Sequence, residues 1–208
     1  MNKLSYFIFL IFFLLISSCK VNTKKIEKSI LKIDKFNLNH YSKNGTKLYY
    51  LETPYSAFNQ TDQTYLLKKT NIKFFEKDIV KYNVNSDSAK LLNNKFIELK
   101  GNIEINDFNI DKTIIRSNKL FWNINNSEFI LEGNVTLINN IINLNSRKAL
   151  LDKKTDLVIF YNPVKYNYNA KNSFNKYNIS SENAYYNIST KEVTFKSSND
   201  KVKSKIVF

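Results

Sequence analysis

The chain has 208 residues, 43% of them hydrophobic and 14% aromatic, with a formal net charge of +14. It holds three glycines, two prolines, one cysteine and one histidine. This composition excludes an intrachain disulfide, a Cys/His metal cage, a glycine-rich phosphate loop and a Gly-x-Ser-x-Gly elbow. Positive charge is spread along the chain among abundant Lys, Asn and Ile. It reads as composition bias with a mild pull on anionic lipid, and nucleic acid is not an expected partner.

The first element opens with Lys3 and runs apolar from Leu4 to Ile16. That is about 13 residues, the size of a signal-peptide core and short of the roughly 20 needed to span a bilayer. Ser17 and Ser18 follow, then Cys19 and Lys20. Ile16-Ser17-Ser18-Cys19 resembles the bacterial lipobox, in which small residues precede a cysteine that receives lipid. The expectation is a cleaved lipoprotein signal peptide over 1–18 and lipid on Cys19. The alternative is an uncleaved anchor helix with an incidental cysteine. Lys20, Lys24, Lys25, Glu27 and Lys28 make the next stretch polar, so 19–32 reads as a tether.

From Ile33 onward the apolar residues alternate, and 33–208 reads as one domain. His40 stands alone in a polar stretch and makes no metal site. Pro54-Tyr55-Ser56-Ala57 and Ser146-Arg147-Lys148-Ala149 read as strand starts. Ile97, Leu99, Ile103 and Ile105 share one parity, with Glu98, Lys100, Asn102 and Glu104 on the other. Leu120, Trp122 and Ile124 continue the pattern, as do Phe129, Leu131, Val135 and Leu137. Tyr, Phe, Ile, Val and Thr suit strands. Asn93-Asn94, Asn125-Asn126 and Asn139-Asn140 sit where tight turns belong. Asp87, Asp107 and Asp111 read as turn formers rather than acid–base catalysts, and no enzyme is expected. No helical stripe of useful length follows residue 31.

The alternation is also a repeat. Leu99-Lys100-Gly101-Asn102-Ile103-Glu104-Ile105 returns as Leu131-Glu132-Gly133-Asn134-Val135-Thr136-Leu137. Trp122-Asn123-Ile124 returns as Tyr186-Asn187-Ile188. Two strands per period of about 30 residues predict stacked hairpins, an all-β roll with an apolar interior and open sheet edges. Leu67, Leu99, Ile103, Leu120, Trp122, Leu131 and Val135 point inward by parity. They serve as core, as acyl-chain contacts, or as both, with core at the ends of the roll and lipid at its middle. Gly45, Gly101 and Gly133 read as bends or bulges where a side chain would clash.

Asn44-Gly45-Thr46-Lys47-Leu48-Tyr49-Tyr50-Leu51, Tyr82 to Leu91 leading into Ile97 to Ile103, and Ile115 to Trp122 together resemble the LptC family of lipopolysaccharide export proteins. The similarity spans roughly residues 33–160; the stretch from about Tyr166, rich in Asn and Tyr, matches weakly. The resemblance implies an antiparallel β-jellyroll of the OstA/LptA type, without catalysis or cofactor. It implies a protein that accepts lipopolysaccharide from an inner-membrane ABC transporter and passes it to a periplasmic LptA-like bridge protein. Gly45 would shape the edge that meets the transporter. Well-known members carry a transmembrane helix where this chain has a lipobox. The expected place is the periplasmic face of the inner membrane, lipid-anchored, with the outer membrane as the alternative. The competing reading is a structural or adhesive surface roll without lipid cargo.

Overall fold

The computed structural model describes residues 30–107, 113–168, 176–198 and 202–207. The signal peptide, Cys19, most of the expected tether and Asp111 lie outside the described residues. Twelve strands follow in chain order: β1 Ile30–Tyr41, β2 Lys47–Asn59, β3 Thr64–Glu76, β4 Ile79–Leu92, β5 Phe96–Asp107 and β6 Ile114–Asn123. Then come β7 Glu128–Ile138, β8 Ile142–Asp152, β9 Leu157–Tyr168, β10 Lys176–Asn187, β11 Val193–Lys196 and β12 Lys203–Val207. Neighbours in sequence pair antiparallel from β1 to β11 in one continuous sheet. β11 and β12 lie end to end along the same flank of β10. The architecture is all-β and antiparallel, as the alternation predicts, and β1 already begins within the segment expected as tether.

The turns follow from local chemistry. Asn93 and Asn94 both take positive φ, +49° and +54°, the signature of a two-residue hairpin turn that Asn tolerates. Lys95 closes it by donating to the Leu92 carbonyl at 2.9 Å. Lys77 and Asp78 make the same kind of turn, with φ of +51° and +63°. At the turn before β8, the Asn139 carboxamide oxygen accepts from the amides of Ile141 and Ile142, both at 2.9 Å.

Most strands bend near the middle, and the bend is built in two ways. In β5 and β7 one extra residue is accommodated, so the registers slip between Lys100 and Ile103 and between Glu132 and Val135. Gly101 and Gly133 supply the φ of +76° that this bulge requires. A Cβ on Gly101 would sit 2.5 Å from Asp87 Oδ2, and one on Gly133 would sit 3.1 Å from Asn118 Cβ. Gly45 differs: it lies in the turn before β2 with nothing within 4 Å, so no clash explains it.

The even-numbered strands from β2 to β10 bend with a hydroxyl. Thr53, Ser86, Ser117, Ser146 and Ser181 each donate to the carbonyl two residues on, at 2.9 to 3.2 Å. The bend breaks the ladder there, and the hydroxyl satisfies a carbonyl that would otherwise be orphaned. Burial changes parity at the same place: Leu144 and Ser146 point inward before it, Ala149 and Leu151 after it. Pro54 to Ala57 and Ser146 to Ala149 are therefore the middles of β2 and β8, not strand starts. Asp87 likewise sits at the bend of β4 rather than at a turn, where it accepts from Asn102 Nδ2 at 2.9 Å.

Bending lets the sheet close on itself. Tyr49 and Phe74, from β2 and β3, meet Trp122 of β6 with ring centroids 5.0 and 4.8 Å apart. Phe74 also meets Phe129 of β7 at 5.1 Å. Strands three or more places apart in the sheet thus share one core. The row of turns at 60–63, 93–95, 124–127, 153–156 and 188–192 is stitched by backbone bonds. Asn93 donates to Gln63, Ile124 to Lys95, Lys153 to Ser127 and Ile188 to Asp156, at 3.4, 2.8, 3.0 and 2.8 Å. Among the described residues the opposite row of turns has no such bonds.

Candidate functional site

The seven interior residues singled out by parity all face the core. Leu67, Leu99, Ile103, Leu120, Trp122, Leu131 and Val135 are each at most 3% exposed. They belong to one apolar cluster that fills the middle of the roll. Open volume borders this cluster, in three pockets among others.

The first is at the C-terminal end, a cavity of about 660 Å³. Its walls are Ile142, Tyr166, Tyr168, Tyr177, Ile179, Val193 and Phe195, with Asn139 and Lys191 at the rim. Among the described residues β11 supplies only four to this end, Val193 to Lys196, and its Val193 and Phe195 line the cavity. Tyr166 packs edge-on against Phe195 at 5.2 Å, and Tyr168 tilts against Tyr177 at 5.4 Å. Burial, with Tyr168 and Tyr186 nearby, pushes the Tyr166 hydroxyl above its ordinary value and keeps it neutral. Such a cavity offers ring faces and methyls to a flexible apolar chain. The weakly matching, Tyr-rich stretch of the sequence carries most of it. Sequence reasoning did not nominate these residues, although their aromatic density was visible.

The second pocket, about 390 Å³, opens where the two rows of turns approach each other. Tyr49, Phe74, Tyr82 and Trp122 form its floor, and His40, Lys81, Lys153 and Lys154 stand around it. The Lys153 ammonium lies 4.5 Å from the ring centroids of Phe74 and Trp122 and 4.7 Å from that of Phe129. Burial pulls its pKa down to about 8, opposed weakly by Asp152. Beside it a polar latch joins opposite walls. Tyr82 donates to Asp156 at 2.5 Å, Ser189 donates to the same carboxylate at 2.8 Å, and Lys81 bridges Asp156 and Glu76 at 3.0 and 2.9 Å. Burial works against the Asp156 carboxylate, yet the hydrogen bonds from Tyr82, Lys81 and Ser189 hold it below the usual range. Burial, then Asp156, drives the Tyr82 hydroxyl far up.

The third, about 850 Å³, is an outer groove over β1 to β5, with Tyr55, Leu66, Lys32, Lys68, Lys90 and Lys100 among its walls. Among the described residues no group of His, Cys, Asp and Glu is arranged to hold a metal ion, and no helix is long and apolar enough to cross a membrane.

A protein-family model described as "Lipopolysaccharide-assembly, LptC-related" matches residues 5–148. Among solved structures the chain is similar to LptH, the LptA homologous periplasmic component of the conserved lipopolysaccharide transport device from Pseudomonas aeruginosa. The identity is 11% and the TM-score 0.48, over 61% of this chain and 94% of that one. No curated protein matches. The family match ends within β8, so Lys153 and most of the C-terminal cavity lining, from Tyr166 to Phe195, lie beyond it.

Proposed function

The chain belongs to the LptC-related family of lipopolysaccharide-assembly proteins, and we propose that within it the roll is a non-catalytic relay. It accepts lipopolysaccharide from an inner-membrane ABC transporter and passes it to a periplasmic LptA-like bridge protein. Lipid on Cys19 holds it at the periplasmic face of the inner membrane. ATP hydrolysed by the transporter supplies the energy, and the roll supplies a dry path.

The observation that carries this reading is the ring-lined cavity at the C-terminal end, which abuts the continuous apolar core. Each methylene moved from water into such a site gains about 0.8 kcal/mol, enough to hold an acyl chain and still release it along a gradient of sites. Leu67, Leu99, Ile103, Leu120, Trp122, Leu131 and Val135 continue that path when the layers part. The sheet ends at β1 on one side and at β11 and β12 on the other, and such edges accept partner strands. The Gly45 turn, beside the β1 edge, is the side assigned to the transporter.

The test is lipid content. Full-length chain isolated from membranes in mild detergent is expected to carry lipopolysaccharide, and Val193→Trp, which fills the cavity, to carry several-fold less. Wild-type chain free of lipopolysaccharide would contradict the relay. The filled middle of the roll favours one other reading, a structural surface roll without cargo. That reading predicts no lipid in either variant and cleavage by protease added to intact cells.

A further inference from the structure

The pocket at the mouth of the roll carries a charge that the relay as described does not use. Lys153 opens the turn between β8 and β9 and reaches across three rings contributed by β3, β6 and β7. Ring faces attract an ammonium but accept none of its three protons in a strong hydrogen bond. Among the described residues no carboxylate lies within ion-pair distance of its Nζ and no acceptor bonds it. Asp152, its neighbour in sequence, turns instead to the Lys154 amide and the Thr155 hydroxyl, at 3.0 and 2.8 Å. Lys81, on the facing wall, is already held by Glu76 and Asp156. Lys153 is thus a half-buried cation with aromatic walls and, among the described residues, no ion-pair partner. Lys81 and Lys154 border the same pocket against a single lining carboxylate, Glu76, so the charged side chains around it sum to a net positive.

The floor beneath Lys153 is apolar and belongs to the core. An amphiphile whose chain lies on Tyr49, Phe74 and Trp122 would bring its head group to the ammonium. A neutral head would leave Nζ without an acceptor, and a cationic head would be repelled. A phosphate monoester carries roughly −1.5 to −2 charges and three acceptor oxygens, which match three ammonium protons. We propose that Lys153 anchors a head-group subsite that selects phosphate-bearing acyl amphiphiles at the mouth of the roll. The inference rests on the relay reading, in that it needs an interior open to acyl chains, and it adds the residue that recognises the head.

Trp122 is the chain's only tryptophan, and the Lys153 ammonium lies 4.5 Å from its ring, so its fluorescence reports on the site. The full chain in nanodiscs of neutral lipid is titrated with octyl phosphate, octyl glucoside and inorganic phosphate, each below any micelle threshold. Wild type is expected to bind octyl phosphate about tenfold more tightly than octyl glucoside, the size of one charge-assisted hydrogen-bonded contact. Inorganic phosphate should bind far more weakly than either. Lys153→Met should lose the tenfold preference and keep its affinity for octyl glucoside, while Lys153→Arg should retain most of the preference. Equal affinity of wild type for the two amphiphiles, or a preference that survives Lys153→Met, would overturn the subsite and leave the relay standing. Inorganic phosphate binding as tightly as octyl phosphate would also overturn it, by removing the need for a chain. Failure of both amphiphiles to bind would overturn the subsite and count against the relay itself.

Discussion

The middle of the roll and its C-terminal end are built on the same repeat but finish differently. In the middle, Leu99, Ile103, Leu131 and Val135 meet an opposing layer and are sealed. At the end, β11 and β12 divide one flank of β10 between them, and β11 supplies only four residues. About 660 Å³ is left beside Tyr166, Tyr168 and Phe195. A stacked fold fills itself wherever each repeat has a neighbour and leaves apolar volume where the stack stops. The C-terminal cavity thus lies where the sheet ends, and the filled middle is the frame it abuts. A parallel contrast separates the two rows of turns: among the described residues, one is stitched by backbone bonds and the other is not.

The sharpest way to break this comparison is to swap the cost of substitutions between the two regions. Leu131→Ala should lower unfolding free energy by about 3 kcal/mol, the usual cost of a cavity in a filled core, measured by urea denaturation. Phe195→Ala should cost less than about 1.5 kcal/mol, because its site is already open on one side, yet reduce bound lipid several-fold. Equal costs would mean that the end is as well packed as the middle.

The next effect concerns the bends. Gly101→Ala should cost about 2 kcal/mol, because the added Cβ meets Asp87 and strains a φ of +76°. Gly45→Ala has a similar φ, +79°, but open space, so it should cost about 1 kcal/mol. A thermal melt of the two variants separates steric from conformational demand.

Smaller effects come from charge at the mouth. The folded carboxyl of Asp156 has a lowered pKa, so its contribution is present above the unfolded value near 3.9 and is lost as pH falls through the folded one. Asp156→Asn should flatten that acid loss. Lys153 has the opposite alkaline sign. Its folded pKa of about 8 lies below the unfolded value near 10.4, so between them the unfolded chain binds more protons and stability rises with pH. Tyr49, pushed up to about 12 by burial, and Tyr82 reverse the trend above about pH 10. Lys153→Met should remove the rise and raise stability at pH 7 by about 1 kcal/mol, after allowance for partial exposure and for the ring faces that offset the burial. A melt of wild type and variant at pH 7 and pH 9 checks both statements.

Much of the fold was readable from the residues. Strict alternation around Ile97 to Ile105 and its return at Phe129 to Leu137 announced paired strands, and the Leu-x-Gly-Asn repeat announced their bulges. All seven nominated interior residues lie inside. The bends at Thr53, Ser86, Ser117, Ser146 and Ser181 escaped because burial changes parity there. A period-two reading sees a break where one strand continues through a bend held by a hydrogen-bonded hydroxyl. The cage around Lys153 escaped for another reason: Phe74, Trp122 and Phe129 converge only after the sheet has closed, and no local pattern encodes that. The C-terminal cavity depends on how few residues β11 has, a boundary that alternation alone does not give.

The central claim is that apolar cargo occupies the open end of the roll. A photo-crosslinking amino acid placed at Phe195, which faces the cavity, and at Thr194, its exposed neighbour, tests it in growing cells. The account predicts a lipopolysaccharide adduct at 195 and none above background at 194. Equal adducts at the two positions, or none at either, would contradict it.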